Sequence, residues 1–210
     1  MNKSFEYSNT ITAGLGMLLS YMGFIFILIK GIQHANYWNL TWSIVYGITL
    51  ILLHTSSTLY HGSVIPKTKN IYHLMDQSCI YLLIAGTYTP IALINLHGTF
   101  GIIIVSIIWS LAILGIVLKI KSIKIFPNFE VFLYLFMGWF ALTGINKLIN
   151  TMDMNGIILI FLGGLFFSIG VVFYLLKSLK YGHAIWHLFY ISGCICHYFT
   201  IVLYTIPSNI

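Results

Sequence analysis

Arginine is missing from this chain and acidic residues nearly so: its 210 residues include ten lysines but only Glu6, Asp76, Glu130 and Asp153. Charged side chains make up 7% of the total, where a soluble domain carries about 25%. That scarcity excludes a soluble protein. With no soluble surface to carry a basic face, the net charge of +6 does not mark a nucleic-acid partner. Cysteine is sparse too. Cys79, Cys194 and Cys196 all fall inside apolar stretches, and Cys194-Ile195-Cys196 lacks zinc-knuckle spacing, so no disulfide framework is implied. No small-residue cleavage site follows the first apolar run, which reads as a retained helix and not as a signal peptide. No polar or low-complexity block divides the chain, which reads as one membrane domain over 1–210.

What the chain has in abundance is hydrophobic residues, 59% of the total. Apolar runs of about 20 residues, the length that crosses a bilayer, fall near 11–29, 40–60, 75–96, 100–118, 128–148, 156–176 and 184–206. The expected fold is all-α and integral to the membrane: a seven-transmembrane helix bundle, with the fifth span the least sharply bounded. Eight of the ten lysines (Lys3, Lys67, Lys69, Lys119, Lys121, Lys124, Lys177 and Lys180) sit at the N-terminus and in alternate connections, against Lys30 and Lys147 on the other side. The positive-inside rule then predicts a cytoplasmic N-terminus and an outside C-terminus.

Ionisable side chains at membrane depth are costly and mark function by default. His183 and His187 lie four residues apart at the start of the last span, which stacks both rings on one helical face. The second span ends at Ser57-Thr58-Leu59-Tyr60-His61, with Ser57 one turn deeper than His61. After a loop expected to be about a dozen residues long, the third span opens through His73 to Asp76. The topology places His61, Asp76, His183 and His187 in one cytoplasmic-side layer. Three imidazoles and a water form the ligand set of an open, catalytic-type zinc site. A nearby carboxylate can hold that water or act as its base, and Ser57 can donate to it or to a developing oxyanion. Ala184 occupies the position of the Glu in H-E-x-x-H, so any general base comes from another helix, with Asp76 the candidate.

Other polar and small residues carry quieter readings. His34, His73 and His97 suit headgroup contacts, and His54 and His197 suit packed, hydrogen-bonded positions. Glu6 and Asn9 fit helix-start roles or the lining of the cytoplasmic mouth. Gly14, Gly16, Gly163 and Gly164 fit close helix packing. Pro90 is expected to kink the third helix, with Thr hydroxyls covering freed carbonyls.

Taken in order, Glu6-x-x-Asn9-x-x-Thr12, Ser57-Thr58-Leu59-Tyr60-His61, Asp76, Ile84-Ala85-Gly86-Thr87-Tyr88-Thr89-Pro90, His183-x-x-x-His187 and His197 span nearly the whole chain. In these motifs the sequence resembles the hemolysin III family, the bacterial branch of the progestin and adipoQ receptor family. The resemblance implies seven helices with a cytoplasmic N-terminus and a Zn2+ ion held by the residues matching His61, His183 and His187. It places the residues matching Asp76 and Ser57 at the water on that ion. The family often has His where this chain has Ala13 and Gln77; neither position matches a ligand.

Three functions follow as expectations. One is a zinc-dependent, ceramidase-like hydrolase of a membrane lipid amide or ester, with Asp76 and Ser57 as its catalytic residues. Another is a non-catalytic membrane sensor or homeostasis factor stapled by zinc. The last is the pore-forming cytolysis that gave the family its name, which the nearly all-apolar spans favour least. Each is set at the plasma membrane, with membrane lipid as substrate or ligand and the oligomeric state left open.

Overall fold

In lipid a backbone has no water to satisfy its polar groups, so each long apolar run is confined to a helix that bonds itself. The computed structural model of the protein describes residues 3–34, 36–123 and 125–207, and of residues 3–5 the backbone only. Among them, seven helical stretches are long and apolar enough to cross a membrane. Lys124 and the side chain of Lys3, two of the lysines used to predict orientation, lie outside the described residues.

The helices are α1 (Lys3–Gln33), α2 (Tyr37–Gly62), α3 (Pro66–Pro90), α4 (Gly98–Ile120), α5 (Phe129–Trp139), α6 (Ile145–Thr151), α7 (Met154–Leu175) and α8 (Gly182–Thr200). A π-helical segment, Ile91–Leu96, prolongs α3, and another, Ile201–Thr205, prolongs α8. Helix α2 packs between α1 and α3, α7 lies along α8, and α8 reaches back to α1. Side chain to carbonyl bonds tie these layers: Tyr46 to Cys194 at 3.3 Å, Tyr198 to Gly23 at 3.1 Å, and Asn39 to Ile206 at 3.0 Å.

Two predicted boundaries move. The third span begins at Pro66, well before residue 75, and the expected dozen-residue loop shrinks to Ser63–Ile65. Pro66 supplies a favourable first helical position, and the residues after it are helical although too polar to register as an apolar run. Lys69, His73 and Asp76 therefore share one face of α3. The fifth span is not one helix: a 3-10 segment, Phe140–Gly144, separates α5 from α6. The winding tightens there, with the Phe140 N–H donating to the carbonyls of Met137 and Phe136, and the Tyr88 hydroxyl lies against those of Met137 and Gly138 at 2.8 and 2.9 Å.

Pro90 is followed directly by the π-helical segment, and the hydroxyls of Thr87 and Thr89 donate to the carbonyls of Leu83 and Ala85. The glycines divide. Gly16 makes room for the ring of His54 and Gly163 for that of His197, whereas among the described residues nothing lies within 4 Å of the position a Gly14 Cβ would take. Gly14 is not a packing glycine. The three cysteines are free thiols.

Candidate metal centre

Three helix ends meet at one end of the bundle. The last turn of α2 brings His61, and the first turns of α8 bring His183 and His187. His61 and His187 are buried, with 6% and 1% of their surface exposed. One ligand nitrogen from each of the three imidazoles lies within 4.8 Å of the others. The Nε2 atoms of His61 and His183 are 3.1 Å apart, close to the roughly 3.3 Å edge expected for two nitrogens on a tetrahedral zinc.

The rings are held from behind by α1. The carboxylate of Glu6 can only accept, so His61 donates Nδ1–H to Glu6 Oε2 at 3.0 Å. The Nε2 lone pair of His61 is thereby turned toward His183. The same logic applies at His187. Thr12 Oγ1 has one hydrogen, directed to the carbonyls of Ser8 and Asn9 at 3.0 Å, and its oxygen accepts Nδ1–H of His187 at 2.8 Å. Nε2 of His187 is left bare. Two imidazoles thus present lone pairs to one small space, an arrangement that repels itself unless a proton or a cation lies between. Outer partners that fix the tautomer in this way accompany metal-bound histidines. The donor set therefore fits a metal ion: three neutral imidazoles, oriented by a carboxylate and a hydroxyl. Lys69, on α3, donates to the second oxygen of Glu6 at 3.1 Å and fixes the carboxylate in turn.

Asp76 and Ser57 stand on the wall of a cavity of about 540 Å³ that His183 and His187 also line. Their side chains are hydrogen-bonding neighbours. Asp76 is not among the residues close enough to share an ion with the three histidines. Below this polar layer the wall turns apolar, with Leu83, Ile84, Tyr88, Trp139, Phe161 and Phe167 among its residues.

The remaining histidines sit apart from the cluster. His54 is buried and bonds through Nδ1 to the carbonyl of Leu50 at 2.9 Å, while His197 bonds to that of Ile160 at 3.3 Å. His73 faces the Tyr60 ring at 4.7 Å and lines the cavity. Glu6 and Asn9 also line it. The grip of Glu6 on His61 and that of Thr12 on His187 escape a reading of the sequence. The signal for them is the motif Glu6-x-x-Asn9-x-x-Thr12, three residues at near-helical spacing where the first apolar run begins.

Comparison with known proteins covers almost the entire chain. The family model described as Haemolysin-III related matches residues 1–198. A hemolysin-3 homolog of Bacillus subtilis is 40% identical over 201 residues, 96% of this chain and 94% of the relative. Hemolysin-3 of Bacillus cereus is 38% identical over 203 residues, 97% and 93% of the two chains. The human monocyte to macrophage differentiation factor is 29% identical over 182 residues, 82% of this chain and 74% of its own.

Proposed function

The chain belongs to the haemolysin-III-related family, and from that premise we propose that it is a zinc-dependent membrane hydrolase acting on a lipid amide or ester. The observation that carries this reading is a three-histidine cluster of which two members, His183 and His187, line a largely apolar cavity of about 540 Å³. A cavity of that size and character suits an aliphatic chain, and the polar layer above it suits the bond to be cut.

His61, His183 and His187 hold the ion, and Glu6 and Thr12 keep two of their rings in the binding tautomer. When bound, zinc lowers the pKa of a water toward neutrality and polarises a carbonyl oxygen. Asp76 holds the proton that the attacking water releases, and Ser57, its hydrogen-bonding neighbour on the same wall, positions it. The apolar wall excludes bulk water and fixes the scissile group by burying its chain. The same wall disfavours the pore-forming reading, because a hydrated path needs polar lining. In the orientation favoured by the lysines, the histidine layer faces the cytoplasm and the protein is a multi-pass component of the plasma membrane.

The test is made on purified protein in detergent. About one equivalent of zinc is expected in the natural chain and its loss in His61→Ala and His187→Ala; full metal retention in both would overturn the site. Hydrolysis of an N-acyl lipid should disappear in Asp76→Ala while zinc stays bound. A chain that binds zinc and cleaves no lipid of cells that express it favours the sensor or homeostasis reading. Dye release from liposomes by the purified chain would favour the pore.

A further inference from the structure

One polar group in the site has no duty in that scheme. Tyr190 follows His183 and His187 at i+7 and i+3 on α8, so it shares their helical face. Its ring is fixed on several sides, by His187 at 5.5 Å edge-on, by His54 at 5.3 Å and by Trp186 at 5.8 Å. Only 5% of the residue is exposed, and its hydroxyl has no hydrogen-bond partner of good geometry among the described residues. That hydroxyl lies beside Ser57 and near Asp76, on the wall of the same cavity. A phenylalanine would pack the same ring contacts without burying an unpaired O–H, which costs folding free energy.

Ser57 lies beside both the Asp76 carboxyl and the Tyr190 hydroxyl. The hydrogen on this wall that meets no acceptor in good geometry among the described residues is that of Tyr190, and a ligand in the cavity can take it.

We propose that Tyr190 is the donor that meets the carbonyl oxygen of a lipid held in this cavity, placing that oxygen between the α8 histidines and the Ser57–Asp76 pair. This rests on the reading of the cavity as a lipid-cleaving site. It assigns to Tyr190 the stabilisation of charge on the carbonyl oxygen, and to Ser57 the positioning of Asp76. Tyr190 also selects for substrate: carbonyl lipids are preferred over hydrocarbon or ether chains of equal length.

The experiment uses two uncleavable, chain-matched probes on the full chain in detergent: methyl pentadecyl ketone, which carries a carbonyl oxygen, and heptadecane, which does not. The natural chain should bind the ketone about tenfold more tightly, the scale of one hydrogen bond. Tyr190→Phe should erase this preference while binding heptadecane unchanged, which also reports that the variant is folded. Ser57→Ala should keep most of the preference. Retention of the ketone preference in Tyr190→Phe overturns the proposal, as does its loss in Ser57→Ala alone or its absence from the natural chain. Zinc content measured on the same samples separates the two readings. A metal-free natural chain defeats the zinc hydrolase, whereas the ketone comparison judges Tyr190 by itself.

Discussion

His61 Nδ1 donates to the Glu6 carboxylate across 3.0 Å, joining the end of α2 to the first turn of α1 although 55 residues separate the two in sequence. The contact orients a ring whose other nitrogen faces His183, so α1 sets the orientation of a candidate ligand that α2 carries.

Glu6→Gln keeps the shape of this contact and removes its charge. The affinity for zinc should fall about 10- to 100-fold, the usual effect of losing an outer partner of a metal-bound histidine. Competition with a chelator of known affinity measures it; an unchanged affinity would show that the Glu6 charge does not support the site.

The two classes of histidine should separate in their response to alanine. His183→Ala should release the metal, since it removes one of three ligands, whereas His54→Ala and His197→Ala should retain it. Elemental analysis of the purified variants decides the matter. Equal losses in all three would mean that the bundle as a whole, and not the triad, controls metal content.

Asp76→Asn preserves volume but cannot accept the proton. Hydrolysis should fall by about 10²- to 10⁴-fold, the range for losing a general base, with zinc content and thermal stability near those of the natural chain. Turnover within a few-fold of normal would exclude Asp76 as the base.

Two glycines on the same helix offer a packing test. Gly16→Leu places a side chain on the ring of His54 and should lower the unfolding temperature in detergent, whereas Gly14→Leu, with open space around it, should leave it within about a degree or two. If both variants melt alike, the α1–α2 contact is not where the structure has it.

Much of this was legible in the sequence, for reasons that differ from residue to residue. The seven spans announce themselves because water and hydrocarbon sort side chains so strongly. The meeting of His61 with His183 and His187 followed from counting crossings, since an even number of them returns the chain to the same end. What counting does not supply is the rotation of each helix about its axis. Whether Glu6 faces lipid, a helix start or His61 depends on the packing of α1 against α2, and so the outer partners stayed hidden. The early start of α3 stayed hidden for a related reason: Lys67, Lys69 and His73 make its first turns too polar for an apolar-run test, although a helix tolerates them well. Tyr190 gives no sign in the sequence for the same reason, since its place beside Ser57 depends on how α8 is rotated.

The distance between ligands along the chain has a consequence for how the protein is made. His61 and His183 are 122 residues apart, and two of the three histidines belong to α8. A chain that has emerged only as far as α7 offers one histidine of the three, too few to capture an ion firmly. A cation at this cluster would therefore be taken up only once α8 has docked against α1 and α2. A chain truncated before Gly182 would keep the His61–Glu6 pair and hold no ion, so metal capture would act as a seal on the docking of α8.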